Sequence, residues 1–382
     1  MKKRMLGNTG IMIGEVGIGC EGLIGKSEKF IYQALDMMEE AGANGIDLYS
    51  PNPEMRSALG KAMQGRRNKF VLEAHICTIW QNDQYKRTRK MDEIKKGFED
   101  QLSLLRTDHL EIGMIHYVDS FADWDGILDN GILDYVGSLK KGGIVQAIGM
   151  SSHNPETALR AINEGDIEVL LFSINPCYDL QPASEDVEQL WNREKYAGQL
   201  VNMDSARAEL YETCARKGIG ITVMKAFGGG DLLKAEQSLA GIALTADQCI
   251  AYALDRPGVA CVFAGAHTLD ELKTSLDFAN STREERDYAT TLASFPRISW
   301  KGHCMYCGHC APCPEQINIA EVTRLLNLSL AQGSIPETVR DHYDLLGAKG
   351  GNCIQCGVCE TRCPFDVPVR ENMKKAKETF GC

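Results

Sequence analysis

Between residues 12 and 280 the chain returns eight times to a short apolar run, and a longer amphipathic run follows most of them. That alternation restricts the fold more than any other feature. The candidate strands are Val16–Gly19, Gly45–Leu48, Phe70–Ile76, Leu110–His116, Val145–Met150, Val169–Ile174, Ile219–Met224 and Val259–Phe263. Between them, apolar residues recur at helical spacing over Lys29–Glu40, Glu54–Met63, Met91–Leu105, Ile127–Lys140, Pro155–Asn163, Asp247–Leu254 and Leu269–Phe278. Asn154 before Pro155 and Thr245 ahead of the 247–254 run are helix caps by residue type. Eight β/α units over about 270 residues predict an α/β fold, a closed (β/α)₈ TIM barrel. The alternative is an open doubly wound sheet, but no early Gly-rich dinucleotide fingerprint supports one.

The chain has 382 residues, enough for two or three domains or for one large barrel with an appendix. Gln181–Ser205 is the least regular part of the barrel half. It carries Trp191 and Tyr196 and is predicted to be a long loop after strand six, placed to cover a site. A second break falls at Ser294–Lys301, after which the periodicity changes. The expected domains are therefore 1–296, the barrel, and 297–382, a small and mainly helical unit.

Fifteen cysteines would suit a disulfide scaffold in a short secreted chain, but this chain is long. Seven are scattered (Cys20, Cys77, Cys177, Cys214, Cys249, Cys261 and Cys382) and eight fall in two tight groups. The first group is Cys304, Cys307, Cys310 and Cys313, followed by Pro314; the second is Cys353, Cys356, Cys359 and Cys363, followed by Pro364. The second matches the C-x₂-C-x₂-C-x₃-C-P run of ferredoxins, and the first is one residue shorter before its last cysteine. Paired structural zinc sites are the alternative, but zinc has no use for the Cys-Pro step. Two 4Fe–4S clusters are therefore expected. In two-cluster ferredoxins the fourth cysteine ligates the other cluster, which pairs Cys304, Cys307 and Cys310 with Cys363, and Cys353, Cys356 and Cys359 with Cys313. Helical runs over Ile319–Leu328 and Val339–Leu346 separate the groups, so a helical ferredoxin-like unit is expected. His303 and His309 beside the ligands are spectators.

Acidic residues outnumber basic ones by 52 to 41, for a net charge of −11. No basic face is on offer, which argues against a nucleic-acid or anionic-membrane partner. No apolar run approaches the roughly 20 residues that span a bilayer, and the opening MKKRMLGNTG runs into turn residues rather than a signal sequence. A cytoplasmic, oxygen-sensitive protein suited to anaerobic conditions is expected.

The segments KRMLGNTGIMIGEVGIG, GANGIDLYSPNPEMRSALGKAM, LEIGMIHYVD, IVQAIGMSSHNPE, IGITVMKAFGGGDLL and RPGVACVFAGAHTLDEL together resemble the aldo/keto reductase superfamily. More narrowly, they resemble its branch with a C-terminal ferredoxin-like domain. The resemblance implies catalysis at the C-terminal ends of the barrel strands, with hydride passing from a nicotinamide to a carbonyl carbon. It also implies a tyrosine as acid, tuned by a lysine and an aspartate, and a histidine that orients the substrate. Asp47 and His116 match the aspartate and the histidine. Asn52 stands where the tyrosine is expected and His75 where the lysine is. For the cofactor, Ser151–Ser152 match the pair that holds the carboxamide, and Gly265 matches the turn at the pyrophosphate. Glu271 stands where an arginine would meet a 2′-phosphate, which disfavours NADPH, and Thr274–Ser275 replace the pair at adenine.

The residues themselves offer substitutes for the missing pair. Asp47 follows Gly45-Ile46, and His75 on the next strand is its natural partner. Tyr49, two positions on, faces the same side and could act as the phenolic acid, or simply pack at the rim. Cys177 is read as packing, and Gly228–Gly230 as a flexible loop or a phosphate contact. The reading is an aldo/keto reductase-like iron–sulfur oxidoreductase acting on a small carbonyl or alcohol substrate, with electrons exchanged with a redox partner protein or reductant. The alternatives are a non-catalytic electron-transfer or binding subunit, and an NAD(P)H-dependent carbonyl reductase whose clusters only brace the fold.

Overall fold

The computed structural model describes every residue except 197–199, 202, 240, 295–297, 300, 333 and 336. Eight parallel strands close into a barrel. They are β1 Val16–Gly19, β2 Gly45–Leu48, β3 Val71–Ile76, β4 Leu110–Ile115, β5 Val145–Ser152, β6 Val169–Ser173, β7 Gly220–Met224 and β8 Val259–Ala264. Each pairs with the next in chain order, and β8 returns to β1 through Val262–Val16 and Ala264–Ile18.

The strands lie where the apolar runs placed them, with β5 extended to Ser152. The stretch expected as one helix over 127–140 is two, Phe121–Asp129 and Ile132–Lys141. Gly131 takes φ +67° between them, a conformation that ends a helix and that glycine adopts without strain. The helix Ser205–Lys217 escaped the periodicity because its buried face includes Arg207 and Glu212 among its apolar residues.

The core has two compartments. Leu6, Ile11, Ile13, Val71, Ile112, Val169, Leu171 and Phe263 fill the barrel interior. The outer helices pack against the other face of the strands. The hairpin Lys3–Met5/Met12–Gly14 supplies the interior residues beside it and plugs the N-terminal end. At the other end the inward positions turn polar, with Asp47, Glu73 and His75 all buried there. Polarity thus marks the working end of the barrel.

The loop after β1 touches the turn after β8 so closely that a Cβ on Gly22 would lie 1.8 Å from the Ala266 carbonyl oxygen. Gly22→Ala is expected to destabilise the protein by about 1–3 kcal/mol or more through overpacking, read as a lower denaturant midpoint. An unchanged midpoint would contradict the contact.

Residues 301–382 hold helices Ile319–Gln332, Glu337–Asp344 and Val369–Phe380, and no strand among the described residues. Tyr343 stacks on Phe380 at 3.8 Å. Met305 is 1% exposed, and its carbonyl accepts from Arg256 Nη2 at 2.8 Å and from the Tyr288 hydroxyl at 3.1 Å, which seats the first cysteine group on the barrel's outer layer. The break expected at 294–301 lies partly outside the described residues. Among the described residues, no helix is long and apolar enough to cross a membrane.

Candidate active site

Side chains alternate along a strand, so Asp47 on β2 and Glu73 and His75 on β3 point into the barrel, with Asp47 beside Glu73 in register. His75 Nε2 lies 2.9 Å from Asp47 Oδ1. His75 Nδ1 lies 2.5 Å from Nδ1 of His116, the residue after β4. His116 Nε2 lies 2.7 Å from the Tyr85 hydroxyl. The expected Asp47–His75 pair is present, and His116 extends it.

The four groups constrain one another's protons. A neutral histidine has one N–H. The Asp47 carboxylate accepts from His75 Nε2, which leaves His75 Nδ1 as an acceptor. His116 then donates from Nδ1, and its Nε2 accepts from the Tyr85 hydroxyl. One added proton reverses the two outer bonds: His75 donates to His116, His116 donates to the Tyr85 oxygen, and the Tyr85 hydrogen is released toward the opening. Burial, the neighbouring His75, and Arg89, His153 and Arg87 all push the pKa of His116 well below its ordinary value, which disfavours a second proton on His116 itself.

Tyr85 was not among the predicted site residues. It comes from a hairpin after β3, Thr78–Gln81 paired with Gln84–Arg87. Asn82 and Asp83 form its two-residue turn at φ +54° and +55°, the left-handed pair of a type I′ turn. That Asn-Asp between two β-prone runs was the available signal. Arg89 ties the hairpin to β4: it donates to the His116 and Tyr117 carbonyls at 2.9 Å and forks onto Asp123. Burial raises the pKa of Tyr85, while Arg87 and Arg89 draw it down. Tyr49 does face the site, its ring stacked on His116 at 6.3 Å and 15°. Its hydroxyl has no hydrogen-bond partner among the described residues. Burial, then Glu21, raises its pKa.

Three non-glycine residues just past strand ends are left-handed: Cys77 after β3 (φ +74°), Tyr117 after β4 (+52°) and Lys225 after β7 (+60°). Each such conformation costs about 1–2 kcal/mol, and their gathering at one end agrees with a working site there.

Glu73 is fully buried below this path, and the hydroxyl of Thr222, from β7 across the barrel, donates to both its oxygens at 2.9 and 3.1 Å. Burial, then Asp47, raises its pKa well above 4.5, which favours the neutral acid. Below pH 4.5 folded and unfolded chains both hold that proton. Above it the unfolded chain releases the proton and the barrel keeps it, so stability falls with rising pH, by about 1.4 kcal/mol per unit until the folded pKa is reached. Glu73→Gln is expected to raise the thermal midpoint at pH 8 and leave it nearly unchanged at pH 4. Equal shifts at both would contradict a buried neutral acid. Asp47, Glu73 and His75 place ligand atoms within 4.8 Å of one another, but both ring nitrogens of His75 are already engaged, by Asp47 and by His116.

The matched cofactor positions are turned to internal tasks. Ser151 Oγ accepts from the Tyr117 N–H at 2.7 Å. Ser152 Oγ donates to Asp119, which also binds the backbone N–H and Nδ1 of His153. Gly265 is open, with nothing within 4 Å of a Cβ built on it. Beyond it, the Glu271 carboxylate accepts from the His267 N–H at 2.7 Å, placing a negative charge where a 2′-phosphate would be expected. These residues do not fit NADPH. Asn52, at the position of the missing tyrosine, caps the helix Pro53–Ala62 by accepting from the Met55 N–H.

The cysteine groups come together in space. Cys310 and Cys313 share one cavity with Cys353, Cys356 and Cys359, and Cys304, Cys307 and Cys310 feel the charge of Cys363. All fifteen cysteines are free of disulfides. His309 is turned to Asp287 at 3.0 Å.

Comparison with known proteins bears on the barrel. The aldo/keto reductase family matches residues 11–245. The uncharacterized oxidoreductase YqkF of Bacillus subtilis is 23% identical over 319 residues, spanning 79% of this chain and 99% of that one. Among solved structures, the holo form of aldo-keto reductase AKR11C1 from Bacillus halodurans superposes with a TM-score of 0.59 at 21% identity, over 76% of this chain and 96% of that one. A putative aldo-keto reductase, PA4992 of Pseudomonas aeruginosa, gives 0.56 at 21% identity, over 72% and 93%. At such identities the structures speak to fold alone, while the family match spans more than half of the chain. The chain belongs to the aldo/keto reductase family, an oxidoreductase on that family's parallel β/α barrel.

Proposed function

We propose that the protein is an iron–sulfur oxidoreductase that interconverts a carbonyl and an alcohol on a small substrate, with Tyr85 as its proton-transfer residue. The observation that carries this reading is the unbroken path Tyr85–His116–His75–Asp47. With one added proton on the path, Tyr85 donates to a carbonyl oxygen and is reprotonated from His116 Nε2, while two electrons from an external low-potential reductant and a proton from water form the C–H bond. Without it, the Tyr85 oxygen takes the hydroxyl proton of an alcohol while its own moves to His116, the carbon's proton leaves to water and the two electrons leave to an external acceptor. Reduction therefore draws on the protonated path and is favoured toward low pH; oxidation is favoured toward high pH. Tyr49 covers one face of His116 and limits its access to water.

The Cys304, Cys307, Cys310 and Cys363 set and the Cys353, Cys356, Cys359 and Cys313 set would each hold a 4Fe–4S cluster in a ferredoxin-like unit spanning 297–382. Such clusters, when bound, pass electrons one at a time between the barrel and an external redox partner. Fifteen cysteines and no disulfide among them suit a reducing, cytoplasmic setting.

Protein with its iron intact and a low-potential reductant is expected to turn over members of a carbonyl panel, and His116→Ala to lose about 10²-fold or more. NADPH-driven reduction of simple aldehydes by iron-free protein would overturn the reading.

A further inference from the structure

Lys225 follows β7 directly, at φ +60°. Its carbonyl accepts from Asn175 Nδ2 at 3.0 Å and from the Gly228 N–H at 2.9 Å, so the chain is fastened in this uncommon conformation. The ammonium lies 4.8 Å over the ring of Trp191. It makes no hydrogen bond or ion pair with a described residue, and it is not among the atoms sealed from solvent without a partner. The lysine is half-buried, and burial pulls its pKa down against the field of Glu21 and Asp119.

Its position relative to the proton path follows from the barrel. β7 and β3 stand four strands apart in the closed ring of eight, on opposite sides. Their inward side chains already meet one layer lower, where Thr222 of β7 touches Glu73 of β3. Lys225 lies three residues beyond Thr222, and His75 two beyond Glu73. Lys225 therefore stands at the same end of the barrel as His75, His116 and Tyr85, within the field of Glu21 and Asp119. An unpaired, partly desolvated cation at the end of the barrel that holds a reactive hydroxyl calls for an anion.

We propose that Lys225 binds the anionic group of the substrate, which is a small carbonyl compound bearing a carboxylate or a phosphate, with its carbonyl oxygen toward Tyr85. This rests on the barrel site's assignment to carbonyl–alcohol chemistry. Trp191 covers the ammonium from the β6 side and screens it from bulk water, which strengthens its hold on a small anion.

The test is calorimetric titration of the full, anaerobically purified chain with 2-oxobutanoate, hydroxyacetone phosphate and neutral 2-butanone. At least one anion is expected to bind tenfold or more tighter than 2-butanone, and which one does so separates carboxylate from phosphate. Lys225→Met should erase that preference and leave 2-butanone unchanged, and Lys225→Arg should keep it. In the wild type the preference should shrink as salt rises, a readout that holds even if a variant does not fold. Equal binding of all three, no binding of either anion at millimolar concentration, or an intact preference in Lys225→Met overturns the proposal. Tyr85→Phe separates the two readings, since it should leave anion affinity in place and remove only turnover.

Discussion

Tyr85→Phe is expected to lower kcat for carbonyl reduction by about 10²–10⁴-fold, the usual worth of a positioned general acid, with little change in KM. The substitution removes one oxygen. The ring keeps its edge contacts with Tyr49 at 6.4 Å and with His116 at 5.8 Å, and the hairpin keeps its anchor through Arg89. Tyr49→Phe should cost less than about tenfold, because its hydroxyl makes no hydrogen bond with a described residue and its ring contact with His116 survives. His75→Ala should approach the Tyr85→Phe loss by cutting His116 off from Asp47. Steady-state kinetics on the three variants decide the matter. A Tyr49→Phe loss larger than that of Tyr85→Phe would move the acid to Tyr49.

Anaerobically reconstituted protein is expected to carry about eight irons per chain, four for each set of four cysteines. Cys313→Ala and Cys353→Ala should each remove about four irons and leave the same cluster behind, as should Cys304→Ala and Cys363→Ala for the other. The pairing is expected because Cys313 shares a cavity with Cys353, Cys356 and Cys359, while Cys304 and Cys307 feel the charge of Cys363. Arg362 Nη1 bridges the two cysteine runs by donating to the Pro312 carbonyl at 2.7 Å. Iron analysis with electron paramagnetic resonance of the reduced variants reads the outcome. Two zinc ions and no iron would refute it. Loss of the same cluster from Cys313→Ala and Cys304→Ala would show that the ligands do not cross.

What the sequence by itself determined is local. Period-two and period-3.6 patterns depend on neighbours within one element, so all eight barrel strands could be located before any coordinates. The cysteine groups were equally legible, since their spacing of two or three residues lies within a single turn of chain. Asp47, His75 and His116 were identified because the family resemblance marks their positions near the ends of the apolar runs. The tertiary structure decided how those side chains meet. His75 and His116 are 41 residues apart, and only the β3–β4 register brings their Nδ1 atoms together and thereby fixes the direction of every proton between Tyr85 and Asp47. Tyr85 was not legible as a site residue because a hairpin outside the barrel periodicity delivers it. The hydroxyls of Ser151 and Ser152 bind Tyr117 and Asp119 because backbone and carboxylate partners in the neighbouring β4 loop satisfy them first. Lys225 became visible only once the ring had closed, because an unpaired ammonium is a property of what surrounds a residue, and a barrel assembles those surroundings from strands distant in sequence.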